Sequence, residues 1–326
     1  MINNFWQTKN VFVTGGSGLI GSWLTQELVN RGANVICLIR DEVNSSNFKS
    51  LNLNKKVTLV KGEIENFDLI LRTINEYEID TIFHLAAQTI VTTANRSPRS
   101  TFETNIKGTW NILEAARQLN TKRTIIASSD KAYGTHEKLP YVEDAKLSGL
   151  HPYDVSKSCT DLLAQSYHKT YNLPVAITRC GNIFGGGDLN FSRIIPGTMR
   201  SLLNDEPPVI RSDGEFLRDY FYVKDAVNAY LLLAEKLCEP EVVGQAFNFG
   251  REEPISVLDL ANMIIELSES THKSVILNEA KNEIRIQYLS CEKARKILNW
   301  KPQYTLKQSL AETYEWYKKY FSEEPK

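Results

Sequence analysis

The stretch Val11-Phe12-Val13-Thr14-Gly15-Gly16-Ser17-Gly18-Leu19-Ile20-Gly21 constrains this chain more than any other. Apolar and β-branched residues run into glycines, and an amphipathic segment follows at once, with Ile20, Trp23, Leu24 and Leu28 on one helical face. The pattern predicts a buried strand, a tight bend and a helix whose first turn aims free N–H groups above the strand end. A helix start of that kind attracts anions, phosphate above all. Gly15 permits the bend, Gly18 lets a backbone approach a diphosphate, and Gly21 lets the helix pack on the strand, with Leu19 and Ile20 supplying first-turn N–H groups. The spacing is Gly-x-x-Gly-x-x-Gly, looser than the usual dinucleotide fingerprint, and glycines alone do not establish a site.

The same alternation continues down the chain. Strands are expected at 34–40, 57–60, 81–85, 123–129 and 174–179, and helices at 68–77, from Ser97-Pro98 through Leu113, and at 152–171. Ser97 is expected to cap its helix with Pro98 in the first turn, and Phe102, Ile106, Trp110 and Leu113 to share a face. Strand and helix alternating six times predict an α/β fold, a doubly wound parallel sheet covered on both faces. Ligands in such sheets sit beyond the carboxyl ends of the strands, where Gly15, Leu85-Ala86-Ala87-Gln88, Ser129 and Arg179 to Asn182 fall. After Cys180 the pattern loosens: 181–188 reads as loop, connections run to Arg218, and 219–237 reads as helix. A strand at 246–249 and helices at 257–267, 291–298 and 306–321 follow. The expected division is a dinucleotide domain, 1–181 plus about 219–250, interleaved with a smaller α/β lobe, about 182–218 plus 251–326.

Bulk properties exclude other classes. The 326 residues carry 38 basic and 39 acidic side chains, net −1, so nucleic acid is not an expected partner. No apolar run reaches a membrane span, and the first residues lack the cationic and apolar pattern of a secretion signal. Cys37, Cys159, Cys180, Cys238 and Cys291 are scattered, as are the five histidines, so no metal is assigned and a reducing, cytoplasmic setting is expected.

Tyr153 and Lys157 stand four apart, which puts a phenol and an ammonium on one helical face. A cation beside the phenol is expected to lower its pKa well below about 10 and make it a general base. Tyr220/Lys224 and Tyr314/Lys318 repeat the spacing, and a surface helix pair is the plain alternative for any of them. Tyr153 is set apart by its place after the fifth strand, near Ser128 and Ser129.

Taken in order, Thr14–Gly21, His84-Leu-Ala-Ala87, Asn105-Ile-Lys-Gly-Thr109, Ser128-Ser-Asp-Lys-Ala-Tyr-Gly134, Tyr153-x-x-x-Lys157 and Arg179-x-x-Asn-Ile-Phe-Gly185 resemble the extended short-chain dehydrogenase/reductases. Within that family the chain is similar to the nucleotide-sugar epimerases and dehydratases, over nearly its whole length. The resemblance implies a Rossmann-like fold, bound NAD or NADP and a nucleotide-diphosphate sugar as substrate. It also implies a homodimer through the helices near 98–119 and 152–171. It makes Tyr153 the base, Lys157 the partner of the nicotinamide ribose, and Ser129 the group bonded to the oxygen being oxidised.

Ser129-Asp130-Lys131 resembles the dehydratases of the family, in which an Asp protonates the departing C6 hydroxyl. Lys131 stands where their Glu removes the C5 proton, and Asp-Lys looks like the CDP-glucose 4,6-dehydratase branch. The implied cycle is oxidation at C4, loss of water across C5–C6 and return of hydride to C6, giving a 4-keto-6-deoxy sugar. Lys131 can act as a base only if its pKa falls; otherwise it is a solvated partner of Asp130. Asn182 and Arg218, on family motifs, and Gln88, Arg193, Arg211 and Arg285, on position, are the candidates for the substrate. At the end of the second strand Arg40 favours NADP, while Asp41 keeps NAD open, and Glu63-Ile64 is expected beside the adenine. A 4-epimerase, a 4-keto-sugar reductase consuming its cofactor, and a silent binding scaffold are the rival readings.

Overall fold

Residues 4–43, 46–279 and 284–323 are described by the computed structural model. The first six strands form where apolar runs meet turn residues: β1 (Asn10–Thr14), β2 (Asn34–Ile39), β3 (Thr58–Lys61), β4 (Thr81–His84), β5 (Arg123–Ala127) and β6 (Val175–Cys180). With Ala246–Phe249 they make one parallel sheet, ordered Ala246–Phe249, β6, β5, β4, β1, β2, β3. The chain therefore starts in the middle, winds outward to β3, then crosses to β4 and winds the other way. β1 and β4 meet at the switch point, with Thr14 level with His84.

Alternate side chains of these strands feed two cores, which is why the strands read as continuous apolar runs. On one face Val11, Val13 and Phe83 pack with Leu24 and Leu28 of α1 (Leu19–Asn30) and with Tyr230 and Leu233 of the helix Val223–Glu235. On the other, Phe12, Ile82, Ile126 and Ile177 pack with Ile70, Ile112 and Ala164 of three further helices. Ala294, Leu298 and Trp300 from near the end of the chain also pack into the first core, where Trp300 meets Phe221 and Phe249 edge-on.

Several expectations are corrected. The segment 181–188 is not all loop: Asn182–Phe184 is a strand, paired in parallel with Tyr220–Tyr222, so the helix expected from 219 begins at Val223. Local pattern does not reveal a three-residue strand whose partner lies almost forty positions away. A helix, Ile194–Leu203, lies within the supposed connections. Pro196 sits in its first turn, where a missing N–H costs nothing, and Ile195, Met199 and Leu202 pack with Leu260, Ile264 and Tyr317. The Ser97 hydroxyl bonds Ser100 Oγ at 2.8 Å and does not cap the backbone, although Pro98 does open the helix. Trp110 leaves the expected apolar face and is 43% exposed, because a π-helical turn, Glu103–Lys107, inserts extra rotation ahead of it.

The second lobe is built from short pieces. A three-stranded sheet orders Ile255–Ser256, Leu217–Arg218 and Ile286–Gln287, and Val209–Ile210 pairs with Val275–Ile276. No helix among the described residues is long and apolar enough to cross a membrane.

Candidate active site

One crevice of about 1290 Å³ runs from the glycine bend across the carboxyl ends of β1, β4, β5 and β6 into the second lobe. That exceeds the roughly 300–1,000 Å³ of ordinary ligand pockets and leaves room for a dinucleotide and a second nucleotide together. At its floor the Thr14 hydroxyl accepts the N–H groups of Leu85 and Ala86, both at 3.2 Å, and meets His84 Nδ1 at 2.8 Å. The other ring nitrogen of His84 meets Thr109 Oγ1 at 3.1 Å. Burial first, and the Lys157 charge second, push this imidazole down to about 3.

The bend fits a bound diphosphate. Gly15 has φ +71°, and a Cβ there would stand 2.7 Å from Ala86 N. A Cβ on Gly18 would meet only the Gly15 carbonyl, at 3.3 Å, so the space above Gly18 is not filled by protein. The first i→i−4 bond of α1 is from Ser22 N to Gly18 O, which leaves the N–H groups of Leu19, Ile20 and Gly21 ahead of it. Leu19, Ile20, Ile64, Leu85, Ala86 and Ala87 line the crevice beside this bend. Glu63 is exposed and does not line it; Gly62 and Glu65 do. Arg40 and Asp41 lie at the rim, both exposed, with Arg40 Nε donating to Asp41 Oδ2 at 2.6 Å.

Ser129 lies two residues past the end of β5 and opens the short 3-10 turn Asp130–Tyr133, its hydroxyl accepting Lys131 N–H at 3.2 Å. That hydroxyl donates to Asp130 at 3.1 Å and lies beside the Tyr153 phenol, whose pKa it pulls down. Pro152 starts the helix Pro152–Tyr171, so Tyr153 stands in its first turn and Lys157 one turn on. The expected lowering of the phenol is not found. Burial pushes Tyr153 up to about 12, against the pull of Ser129 and Arg193. Lys157 sends its ammonium to the Ala127 carbonyl, 2.7 Å away, and is itself pushed down to about 8 by burial. The cation that was to stabilise a phenolate is thus committed to the strand end.

Asp130 is 3% exposed and burial raises its pKa, opposed by Lys131, Ser129 and Arg218. Lys131 lines the crevice, and its Nζ donates to Gln287 Oε1. Gln88, Asn182, Arg193, Arg211 and Arg218 also line the crevice. Asn182 Nδ2 is buried with no hydrogen-bond partner, a donor held ready at the crevice wall. Arg193 pairs with Asp188 at 3.0 Å, and buried Arg218 donates to the carbonyls of Leu217 and Arg285. Arg285 does not reach the crevice: it is exposed and pairs with Asp213 at 3.3 Å.

Three residues escaped the sequence reading. Arg200 lines the crevice over the Phe191 ring, on the helix Ile194–Leu203, within the stretch expected to be connections. Gln287 lies on a two-residue strand that no local pattern marks. Asn105 stood inside a recognised motif without a role. Its side chain accepts Gln88 N–H at 2.7 Å and donates to Gln88 O and Ser156 Oγ, tying the β4 loop to the helix of Tyr153.

A doubly wound sheet with a glycine bend, and a Ser–Tyr–Lys set at its carboxyl edge, define an extended short-chain dehydrogenase/reductase. The chain belongs to the GDP-mannose 4,6 dehydratase family, whose sequence profile matches residues 12–313. It is 31% identical to the CDP-glucose 4,6-dehydratase of Salmonella typhimurium, over 97% of this chain and 92% of that one. In structure it is similar to UDP-glucose 4-epimerase from Thermotoga maritima, with TM-score 0.88, 28% identity and coverage of 96% and 99% of the two chains. It is also similar to dTDP-glucose 4,6-dehydratase from Bacillus anthracis in complex with NAD. There the TM-score is 0.83, with 28% identity and coverage of 96% and 97%.

Proposed function

We propose that this chain is a nucleotide-sugar 4,6-dehydratase, converting an NDP-hexose to the NDP-4-keto-6-deoxyhexose. One observation carries the reading: the Ser129–Tyr153 hydroxyl pair continues, in the same turn, into Asp130 and the crevice-lining Lys131. An oxidation site needs only the first pair; a second acid–base pair has work to do only if water is eliminated. Gly15, Gly18, Gly21, Tyr153 and Lys157 would hold the dinucleotide. When bound, NAD supplies the hydride acceptor for C4 and a positive ring charge in the crevice, which favours the Tyr153 phenolate against its burial. Ser129 orients the C4 hydroxyl and Tyr153 takes its proton. Once C4 is a ketone the C5 proton is acidic; Lys131 removes it, Asp130 protonates the leaving C6 hydroxyl, and the hydride taken from C4 would return to C6 while Lys131 gives the proton back to C5. Asn182, Arg193, Arg211 and Arg218 hold the sugar nucleotide, while Arg285 plays no part.

NAD is the cofactor of this reading in place of the NADP that Arg40 alone suggested. The Asp41 carboxylate occupies Arg40 Nε and would repel a 2′-phosphate. Two copies are proposed to pair through the helices near 98–119 and 152–171, which carry the exposed Trp110, Leu162 and Tyr171.

The test incubates the protein with CDP-glucose, dTDP-glucose, UDP-GlcNAc and GDP-mannose side by side and analyses products by mass. A 4-keto-6-deoxy product is expected from one of them, NAD is expected on denaturation, and Lys131→Ala should lower turnover about 100-fold or more. The structural likeness to the epimerase motivates the second reading. A product of unchanged mass, inverted at C4 and made as well by Lys131→Ala, would establish it in place of the first.

A further inference from the structure

Lys131 carries its nitrogen on a flexible four-carbon stem, yet proton abstraction at one carbon requires a fixed position. The group that meets that nitrogen comes from the other lobe. Gln287 is fully buried, on the strand Ile286–Gln287, which runs parallel to Leu217–Arg218 with Gln287 level with Arg218. A lysine ammonium only donates, so it must face the amide oxygen of Gln287, and Gln287 Oε1 does accept Lys131 Nζ. That orientation leaves Gln287 Nε2 buried without a hydrogen-bond partner. A glutamine placed for stability alone would have both ends satisfied. Here one end is given up so that the other can hold the lysine. Because the neighbouring strand position is Arg218, which acts on Asp130, the second lobe braces both members of the acid–base pair at one level of its sheet.

We propose that Gln287 is a positioning residue for the elimination step, holding Lys131 in place through its side-chain oxygen. The inference rests on the dehydratase reading, and its test separates the two. Besides Gln287, the charged groups around Lys131 include, among the described residues, Asp130 on its own turn, Asp154 on the helix of Tyr153, with His151 beside it, and Arg218 facing Asp130. All of them stay in place when Gln287 is changed to Glu, which keeps the shape and adds one negative charge. A carboxylate against the ammonium favours the charged lysine, so less neutral amine is available at a given pH.

Gln287→Glu and Gln287→Met are compared with the parent and with Lys131→Ala, folding being followed by thermal melting. Titration of Lys131 is read by carbon NMR after methylation with isotope-labelled formaldehyde, with the resonance assigned by its loss in Lys131→Arg. In Gln287→Glu that titration should move up by about 1 pH unit or more, and the rise of elimination with pH should move with it. Gln287→Met should melt near the parent and lose elimination by about 10- to 100-fold, read as product and as deuterium exchange at C5. An unmoved Lys131 titration, or a Gln287→Met enzyme as active as the parent while Lys131→Ala is inactive, overturns the inference. Failure of the parent itself to eliminate water from any sugar nucleotide overturns the dehydratase reading, while the titration still decides whether Gln287 holds Lys131.

Discussion

At the scale of single residues, placement and charge state come apart. Ser129, Tyr153 and Lys157 could be placed from their motifs, since strand end and helix start are both encoded locally. The titration of Tyr153 and Lys157 could not, because burial in the folded crevice dominates both, and the Lys157 ammonium is held by the Ala127 carbonyl. His84 shows the same dependence and gives a measurable consequence. Its pKa falls from 6.5 in the unfolded chain to about 3 in the buried pocket between Thr14 and Thr109. Between those values the unfolded state binds the extra proton, so this contribution to stability is fully present above 6.5 and lost as pH falls. His84→Gln has no such group. The stability advantage of the parent over this variant, from urea unfolding, should therefore shrink by about 2 kcal/mol between about pH 6.5 and about pH 5.

At the scale of elements, legibility follows burial. Strands β1, β2, β4, β5 and β6 are buried along most of their length and announce themselves as apolar runs; Asn182–Phe184 and Ile286–Gln287 exist only through partners distant in the chain. Periodicity failed where the helix itself changed pitch, at Glu103–Lys107. That turn exists at the point where Asn105 reaches inward to Gln88 and Ser156, and π-helical turns often mark such sites. Removing the amide leaves buried groups unpaired at both the β4 loop and the helix of Tyr153. Asn105→Ala should cost about 2–3 kcal/mol in denaturant melts. It should also speed hydrogen exchange at Gln88 while leaving the far side of the sheet protected.

At the scale of the whole molecule, the pairing proposed above uses the outer face of the helices near 98–119 and 152–171, which carries exposed Trp110, Leu162 and Tyr171. Leu162, 54% exposed, replaced by Glu should turn the expected dimer into a monomer in analytical ultracentrifugation, with the melting of the sheet little changed. A monomeric parent would remove the pairing from the proposal. The proposed division of labour between lobes also belongs to this scale: in that reading the glycine bend would hold the dinucleotide and the short-stranded lobe the sugar nucleotide, and Lys131 meets Gln287 of the second lobe.

The edge strand Ala246–Phe249 and the Trp300 ring that seals it have an implication for biosynthesis. β6 gains its outer neighbour only once residues 246–249 have been synthesised, more than sixty positions after Cys180 ends β6. Until then β6 has a bare flank, so the nascent protein depends on shielding of that flank during translation, and a premature stop before residue 246 would leave it open for good.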